Sequence, residues 1–153
     1  MKLFLAAPLF SEPERNYDLK IASALRREGY EVWMAQEAPF IKKGTAEEKK
    51  QIFNGDVAAL KSSDVVVAIL DGIDVESGVA FELGYAACLG KPIIGLKTDY
   101  RTFSKIEEIN LMLEIPMLKI CGSVDEILTT LREIKDQQLR TKRSSPPAKT
   151  DNM

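Results

Sequence analysis

The sequence predicts an α/β fold in which helices cover both faces of a parallel five-stranded sheet. Three observations support this: short apolar runs alternate with segments of helical spacing, the run from Val65 to Leu70 is apolar throughout, and 153 residues suit one domain. A strand without polar alternation is typical of the centre of a parallel sheet. At this size the strand order that fits best is 2-1-3-4-5, the flavodoxin-like doubly wound arrangement.

Five short apolar runs are predicted to be the strands. They are Leu3 to Ala7, Glu31 to Ala35, Val65 to Leu70, Pro92 to Leu96 and Pro116 to Cys121. Helices are expected between them, over Pro13 to Glu28, Thr45 to about Ser62, Val79 to Leu89, part of Tyr100 to Leu113, and Ser123 to about Leu139.

Capping patterns define several of these helices. Thr45 and Glu48 have the spacing of a capping box, and so do Ser123 and Glu126. The Asn-Gly-Asp sequence that ends at Asp56 predicts an interruption of the second helix, with Asp56 as the N-cap of a new one.

The chain is expected to form one domain, residues 1–139, followed by a flexible polar tail, residues 140–153, whose composition cannot bury a core. The first apolar run is too short for a signal peptide, and no stretch approaches the roughly 18 apolar residues of a membrane span. The two cysteines, Cys88 and Cys121, are expected to be buried reduced thiols. These features predict a cytoplasmic protein with no membrane partner.

Composition excludes several kinds of chemistry. The chain has no histidine, which rules out Ser-His-Asp and Cys-His catalysis and His-ligated metals. The net charge of -2 gives no global electrostatic case for binding nucleic acid. Neither a Walker A motif nor a G-x-G-x-x-G motif is present, so the usual nucleotide-phosphate cradles are absent. With no histidine and only two cysteines, we expect no metal, and we expect no cofactor. An enzyme of this composition would depend on carboxylates, Lys, Tyr, Ser or Cys.

The loop after the central strand lies at the predicted switch point of the sheet and is rich in carboxylates. These are Asp71, Asp74, Glu76 and Glu82. Glu82 stands in the first turns of an otherwise apolar helix, whose positive N-terminal end is expected to hold its carboxylate ionised, as a nucleophile requires. The alternative is a structural role, in which Glu82 caps its own helix or pairs with a lysine.

The segment from Leu70 to Ala86, LDGIDVESGVAFELGYA, resembles the signature of the nucleoside 2-deoxyribosyltransferases, LDGxxxDSGTAxE(I/L)GYA. Leu5 to Phe10 (LAAPLF) is similar to the first-strand LAGPLF of that family, and Asn110 to Met112 is similar to its NLM segment. The resemblance covers about residues 2 to 135, in the order of the family. It extends to the 5′-monophosphate N-glycosidases and, more remotely, to glutamate-dependent NAD-cleaving domains.

The resemblance implies that Glu82 is the nucleophile. It would attack C1′ of a 2′-deoxynucleoside and hold a covalent 2-deoxyribosyl intermediate until a second base attacks, as in a retaining glycosidase. Asp56 matches an aspartate that contacts the base, and this catalytic role and that of a helix N-cap have equal weight and can hold together. Asp71 is a further candidate for contacting the base or tuning Glu82.

The resemblance also assigns residues to the sugar. Glu76 stands where transferases carry an aspartate for the 5′-hydroxyl and where monophosphate glycosidases carry serine, so an acid here favours a free nucleoside. Ser77 can hydrogen-bond the substrate. Asn110 matches a residue that the family lends to the neighbouring subunit's site, which implies a homo-oligomer with the dimer as its smallest functional unit.

The first strand and its loop depart from the family pattern. Phe4 aligns with a tyrosine that hydrogen-bonds the nucleophile in many members, so either Tyr85 or Tyr17 supplies that hydroxyl or the contact is dispensable. Leu9 and Phe10 are candidates for stacking on the base, and a core role is an equal alternative for Phe10.

We therefore expect an N-deoxyribosyltransferase that exchanges bases between 2′-deoxynucleosides for salvage and hydrolyses them when no acceptor base is present. Its expected ligands are a 2′-deoxynucleoside and a free nucleobase. One alternative is a 5′-monophosphate N-glycosidase, which Glu76 disfavours. The other is a non-catalytic module of the same fold that binds a nucleoside or an NAD-like ligand.

Overall fold

The computed structural model describes residues 1–38 and 42–144. Its strands are β1 (Lys2–Ala6), β2 (Glu31–Met34), β3 (Val65–Ile69), β4 (Ile93–Leu96) and β5 (Lys119–Cys121). Its helices are α1 (Glu12–Arg27), α2 (Ala46–Ser62), α3 (Ser77–Cys88), α4 (Leu111–Glu114) and α5 (Val124–Ser144), with a 3₁₀ turn over Ala35–Glu37.

The five strands form one parallel sheet in the order β2-β1-β3-β4-β5, which confirms the predicted flavodoxin-like topology. All five residues of β3 are buried, as its uninterrupted apolar sequence predicts for a central strand. Leu3 of β1 pairs with Val32 on one side and Val65 on the other, which places the switch point between β1 and β3.

Alternate side chains of the strands feed two separate hydrophobic cores. Leu3 and Leu5 belong to the core that α1 and α5 cover, where Leu25 and Leu131 are fully buried. Phe4 belongs to the opposite core, beneath α2 and α3. Because neighbouring strand residues point to opposite faces, groups that pack on Phe4 and groups that pack on Leu5 lie on different sides of the sheet.

Helix α2 runs without interruption, so the prediction of a break at Asp56 is wrong. The Thr45–Glu48 capping box forms as predicted: the Thr45 hydroxyl accepts from Glu48 N at 3.2 Å. Gly55 is accommodated inside the helix, where it costs about 1 kcal/mol relative to alanine. Burial of Leu60 against the core outweighs that cost and carries the helix through the glycine.

Several other boundaries differ from prediction. Helix α1 begins at Glu12 and not at Pro13, because Ser11 and Glu14 form a capping box that was not predicted. Strand β5 begins only at Lys119, because the turn after α4 extends to a hydrogen bond from Met117 N to Glu114 O. At the second predicted box, Ser123 Oγ accepts from Glu126 N at 3.3 Å, while the Glu126 carboxylate accepts from Gly122 N.

Helix α5 continues to Ser144, so its last five residues fall within the predicted polar tail of residues 140–153. Residues 145–153 of that predicted tail lie outside the described residues. Cys121 is buried as expected, whereas Cys88, at the end of α3, is exposed. No helix within the described ranges is both long enough and apolar enough to cross a membrane.

Candidate active site

Glu82 and Asp56 line one cavity between α2 and α3. The cavity has a volume of about 250 Å³, and its remaining walls are mainly apolar and aromatic. They are formed by Phe53, Val57, Leu60, Gly78, Phe81 and Tyr85. The site therefore combines two carboxyl groups with surroundings that exclude much of the solvent.

Helical periodicity explains how Glu82 reaches this cavity. Val79, Leu83 and Ala86 recur at helical spacing and are buried against the sheet. Glu82 precedes Leu83, which is fully buried, and lies on the side of α3 that faces α2. Asp56 is part of the same wall of α2 as Leu60, so the two carboxyl groups are held by regular helices rather than by loops.

The cavity raises the pKa of Glu82 to about 8, first because burial penalises the charged form and then because the carboxylates of Asp56 and Glu76 are near. Burial also raises the pKa of Asp56. The expectation that the helix N-terminus holds Glu82 ionised is therefore wrong. Glu82 lies beyond the first turn of α3, where the favourable field of the helix end has fallen off.

The two structural roles considered for Glu82 are not observed. Helix α3 is capped by Glu76 instead, whose carboxylate accepts from Gly78 N at 2.7 Å and Val79 N at 3.1 Å. Across residues 1–38 and 42–144, no ion pair involves Glu82. Its raised pKa, and the absence of a cationic partner among the described residues, distinguish Glu82 from an ordinary surface glutamate.

Glu76 and Ser77 lie beside the cavity without lining it. The Ser77 hydroxyl donates to the Glu76 carboxylate at 2.8 Å. Glu76 also approaches Gly78, which forms part of the cavity wall, and a Cβ at Gly78 would lie 2.9 Å from a Glu76 carboxylate oxygen. The glycine thus lets the Glu76 carboxylate fold back over the start of α3.

The structure does not bring Asp71 to Glu82. Its carboxylate accepts from Thr98 N, from the Thr98 hydroxyl and from Asp99 N at 2.5, 2.7 and 3.1 Å, which joins the ends of β3 and β4. Asp74 is turned to its own loop, where its carboxylate accepts from Val75 N. The predicted carboxylate cluster therefore divides into groups with different partners.

The residues predicted from the first strand and its loop are not among those that line this cavity. Phe4 is fully buried and stacks on Trp33, with ring centroids 4.7 Å apart. Phe10 is 74% exposed, so the structure does not show a core role for it in the single chain. Leu9 is half-buried, and its carbonyl oxygen accepts from the Arg15 side chain.

Of the two tyrosines considered as replacements for a hydroxyl at Phe4, only Tyr85 lines the cavity. Tyr17 packs against the core on the opposite face of the sheet. Asn110 lies elsewhere in the chain, at the N-cap of α4, and its side chain accepts from Met112 N at 3.0 Å.

Two aromatic side chains of the cavity, Phe53 and Phe81, were not predicted from the sequence. Phe53 and Phe81 contact each other with centroids 5.8 Å apart, and Phe81 lies 6.0 Å from Tyr85. The spacing of Phe81 and Tyr85, one helical turn apart, was an available signal. Such a pair is usually interpreted as core, although Phe53 and Phe81 are each about half exposed.

Comparison with known proteins identifies the family. The family model for nucleoside 2-deoxyribosyltransferases matches residues 3–131, so the chain belongs to this family of nucleoside-modifying enzymes. A putative 2′-deoxynucleoside 5′-phosphate N-hydrolase 1 from Thermofilum pendens is 32% identical over 100 residues, which cover 63% of this chain and 67% of the relative.

Two solved structures share the fold closely. A 2-deoxyribosyltransferase from Bacillus psychrosaccharolyticus is 28% identical with a TM-score of 0.72, and the match covers 83% of this chain and 90% of that one. A conserved protein from Enterococcus faecalis V583 is 26% identical with a TM-score of 0.75, over 87% of this chain and 98% of that one. The relatives named by activity thus include both a transferase and a hydrolase.

Proposed function

We propose that this protein is a nucleoside 2-deoxyribosyltransferase in which Glu82 is the nucleophile. The observation that carries the proposal is the pair of carboxyl groups, Glu82 and Asp56, in one cavity with apolar and aromatic walls. The family and the similar transferase structure support this reaction class. The cytoplasm and nucleoside salvage are the proposed setting.

The two carboxyl groups suit the two halves of the reaction. The ionised Glu82 attacks C1′, the bond from C1′ to the base nitrogen breaks, and the departing base takes a proton. We assign that proton to Asp56, whose pKa burial raises. Attack of a second base on C1′ releases Glu82 and returns a proton to Asp56, whereas attack by water gives hydrolysis.

The raised pKa of Glu82 is compatible with this scheme because the two carboxyls interact. With one proton shared between them, placing it on Asp56 leaves Glu82 ionised and Asp56 ready to donate. Transfer of that proton to the departing base leaves Asp56 ionised. The proton that the second base gives up on attack then restores the starting charge of the pair.

Hydrolysis of a 5′-monophosphate is the second candidate, favoured by the hydrolase relative from Thermofilum pendens. Glu76 weighs against it. Backbone N–H groups at a helix N-terminus are common phosphate ligands, but those of Gly78 and Val79 already donate to the Glu76 carboxylate. A phosphate in that position would have to displace a carboxylate of the same sign of charge.

We also propose that the active unit is a homo-oligomer in which Asn110 serves the neighbouring subunit's site. Asn110 caps the short helix α4, and apolar side chains of that helix and of its C-cap are exposed in the single chain: Leu111, Met112 and Ile115. Contiguous exposed apolar side chains commonly mark an interface. This arrangement supports a second copy as the source of Asn110.

The direct test is incubation with deoxyinosine and free adenine, followed by chromatography. Formation of deoxyadenosine supports transfer, whereas release of hypoxanthine alone supports hydrolysis. Activity on deoxyinosine 5′-monophosphate but not on deoxyinosine would contradict the proposal. Binding of the nucleoside without any product would favour the non-catalytic module.

Glu82→Ala is the variant that tests the assigned nucleophile. It should reduce turnover by about 10³-fold or more, since it removes the group that forms the covalent intermediate. Glu133→Ala is the matched control, because Glu133 is an exposed glutamate on α5. Circular dichroism establishes that both variants fold. Undiminished turnover in folded Glu82→Ala would refute the assignment.

A further inference from the structure

Two loops at the carboxyl edge of the sheet are joined by a reciprocal pair of carboxylates. Asp71, after β3, accepts from the backbone N–H groups of Thr98 and Asp99, after β4. Asp99 in turn accepts from Gly72 N at 2.9 Å. The two aspartates thus prolong the pairing of β3 and β4 beyond the last backbone bond, from Leu70 N to Leu96 O.

Asp99 is the more strongly held member of the pair. Besides Gly72 N, its carboxylate contacts the Lys97 ammonium and the Arg101 guanidinium. Lys97 is only 6% exposed, and a buried ammonium needs such a partner. Although burial alone would raise it, hydrogen bonds from Lys97, Arg101 and Gly72 lower the pKa of Asp99 to about 2.

The backbone conformation of Gly72 suits its hydrogen bond to Asp99. Its φ of +135° lies in a region that favours glycine, and an added Cβ would lie 3.0 Å from the backbone oxygen of Asp74. The loop from Asp71 to Glu76 is therefore tight at position 72, and a side chain there would strain the backbone that presents the Gly72 amide to Asp99.

The joined loops lead to residues of the candidate site. The loop after β3 ends at Glu76, which caps α3 beside the cavity and contributes to the raised pKa of Glu82. The loop after β4 leads to Asn110 at the start of α4. The contacts between Asp71 and Asp99 therefore lie at the start of both loops.

We propose that Asp99 is a positioning residue that fixes the loop after β3 through Gly72 and thereby places the Glu76 carboxylate beside Glu82. The effect on catalysis rests on the proposed function, because it acts through the sugar-binding role of Glu76. Asp71 has the reciprocal task, holding the loop after β4 against the same edge. Neither aspartate contacts the substrate in this proposal.

Amide hydrogen exchange tests the positioning without any assay of activity. In Asp99→Ala the Gly72 amide loses its acceptor and should exchange faster. The informative amides are those of Gly78 and Val79, which donate to Glu76 and not to Asp99. They should also exchange at least about threefold faster if Asp99 fixes Glu76. Acceleration at Gly72 alone would overturn the proposal.

Kinetics supply the second test. Asp99→Ala should raise KM for the nucleoside about tenfold while kcat changes less than about threefold, because binding and not the nucleophile is disturbed. In a Glu76→Gln background the same substitution should leave KM nearly unchanged, since its route of action is already removed. Effects on KM that simply multiply in the double variant would contradict action through Glu76.

Two further variants protect the test against misfolding and charge effects. Asp99→Asn keeps an oxygen for the Gly72 amide and should restore slow exchange at Gly72, Gly78 and Val79 in part. Asp136→Asn removes the same charge from an exposed position on α5 and should change neither exchange nor KM. If the wild-type protein forms no product from nucleosides, the proposed function fails, and the exchange rates alone decide the positioning.

Discussion

The carboxyl group of Glu82 illustrates how one residue connects the stability of this protein to its chemistry. As the proposed nucleophile, Glu82 must lose its proton, yet burial and two neighbouring carboxylates favour the protonated form and raise its pKa to about 8. The folded state thus binds this proton more tightly than the unfolded chain, whose glutamate has the ordinary value of 4.5. Stability should fall as pH rises between these two values.

Glu82→Gln should remove this pH dependence. At pH 5 the folded wild-type side chain is largely neutral, so wild type and variant should differ little in stability. At pH 9 the wild type buries a charge that the variant lacks, and the variant should be more stable by on the order of 4 kcal/mol. Urea unfolding at both pH values measures the difference. An equal difference at the two pH values would contradict the raised pKa.

A second carboxyl group with a raised pKa, that of Asp18, lies on the other face of the sheet. Asp18 of α1 is 2% exposed, and its Oδ1 has no hydrogen-bond partner among the described residues. Burial and then the charge of Glu14 raise its pKa to about 7. Stability contributed by the protonated form is therefore lost as pH rises from about 4 through 7.

Asp18→Asn should consequently stabilise the protein at pH 8, by up to about 4 kcal/mol, and raise its Tm. At pH 4 the gain should disappear, because both side chains are then neutral. Thermal unfolding of wild type and variant at the two pH values is the measurement. Asp136→Asn, on the exposed side of α5, serves as the control and should show no such trend.

Among the elements, strands were easier to predict than helix interiors. Buried parallel strands have uniformly apolar sequences, so β1 to β4 were found to within about one residue. The predicted interruption of helix α2 is wrong. The turn preference of Asn54 and Gly55 is a local effect, whereas Leu60 packs against residues distant in sequence, and this packing decides the outcome. The start of α3 was also missed, since glutamate at position 76 is not among the preferred N-cap residues.

Substitution of alanine for glycine should have opposite effects in α2 and β4. A Cβ at Gly55 meets no atom within 4 Å, so Gly55→Ala should stabilise the helix by about 1 kcal/mol. A Cβ at Gly95 would lie 2.4 Å from Leu70 Cδ1 and 3.0 Å from Met117 Sδ, so Gly95→Ala should destabilise by about 1–3 kcal/mol. Chemical denaturation of the two variants and wild type measures both changes.

For the whole molecule, the sequence predicted the topology and brought together Glu82 and Asp56 through the family resemblance. It did not reveal the contacts between Asp71 and Asp99, because their partners are backbone N–H groups of a distant loop, which no side-chain pattern records. The exposed apolar side chains that follow Asn110 are likewise explained only by the proposed homo-oligomer.

Complementation between two inactive variants tests the shared site. Glu82→Ala and Asn110→Ala, each with much reduced turnover alone, should regain about a quarter of wild-type activity when co-expressed, since a mixed dimer holds one intact site. The intact site joins Glu82 of one chain to Asn110 of the other. If Asn110 served its own subunit, every site in the mixture would lack one group and no activity would return.

The stacking of Phe4 on Trp33 has a practical consequence for such experiments. Trp33 is the single tryptophan of the chain, and its partner ring is fully buried on the cavity side of the sheet. Its fluorescence therefore reports optically on that core alone, without an introduced label, whereas circular dichroism averages over all helices. Coincident melting by the two signals would show that both layers of the sheet unfold as one cooperative unit.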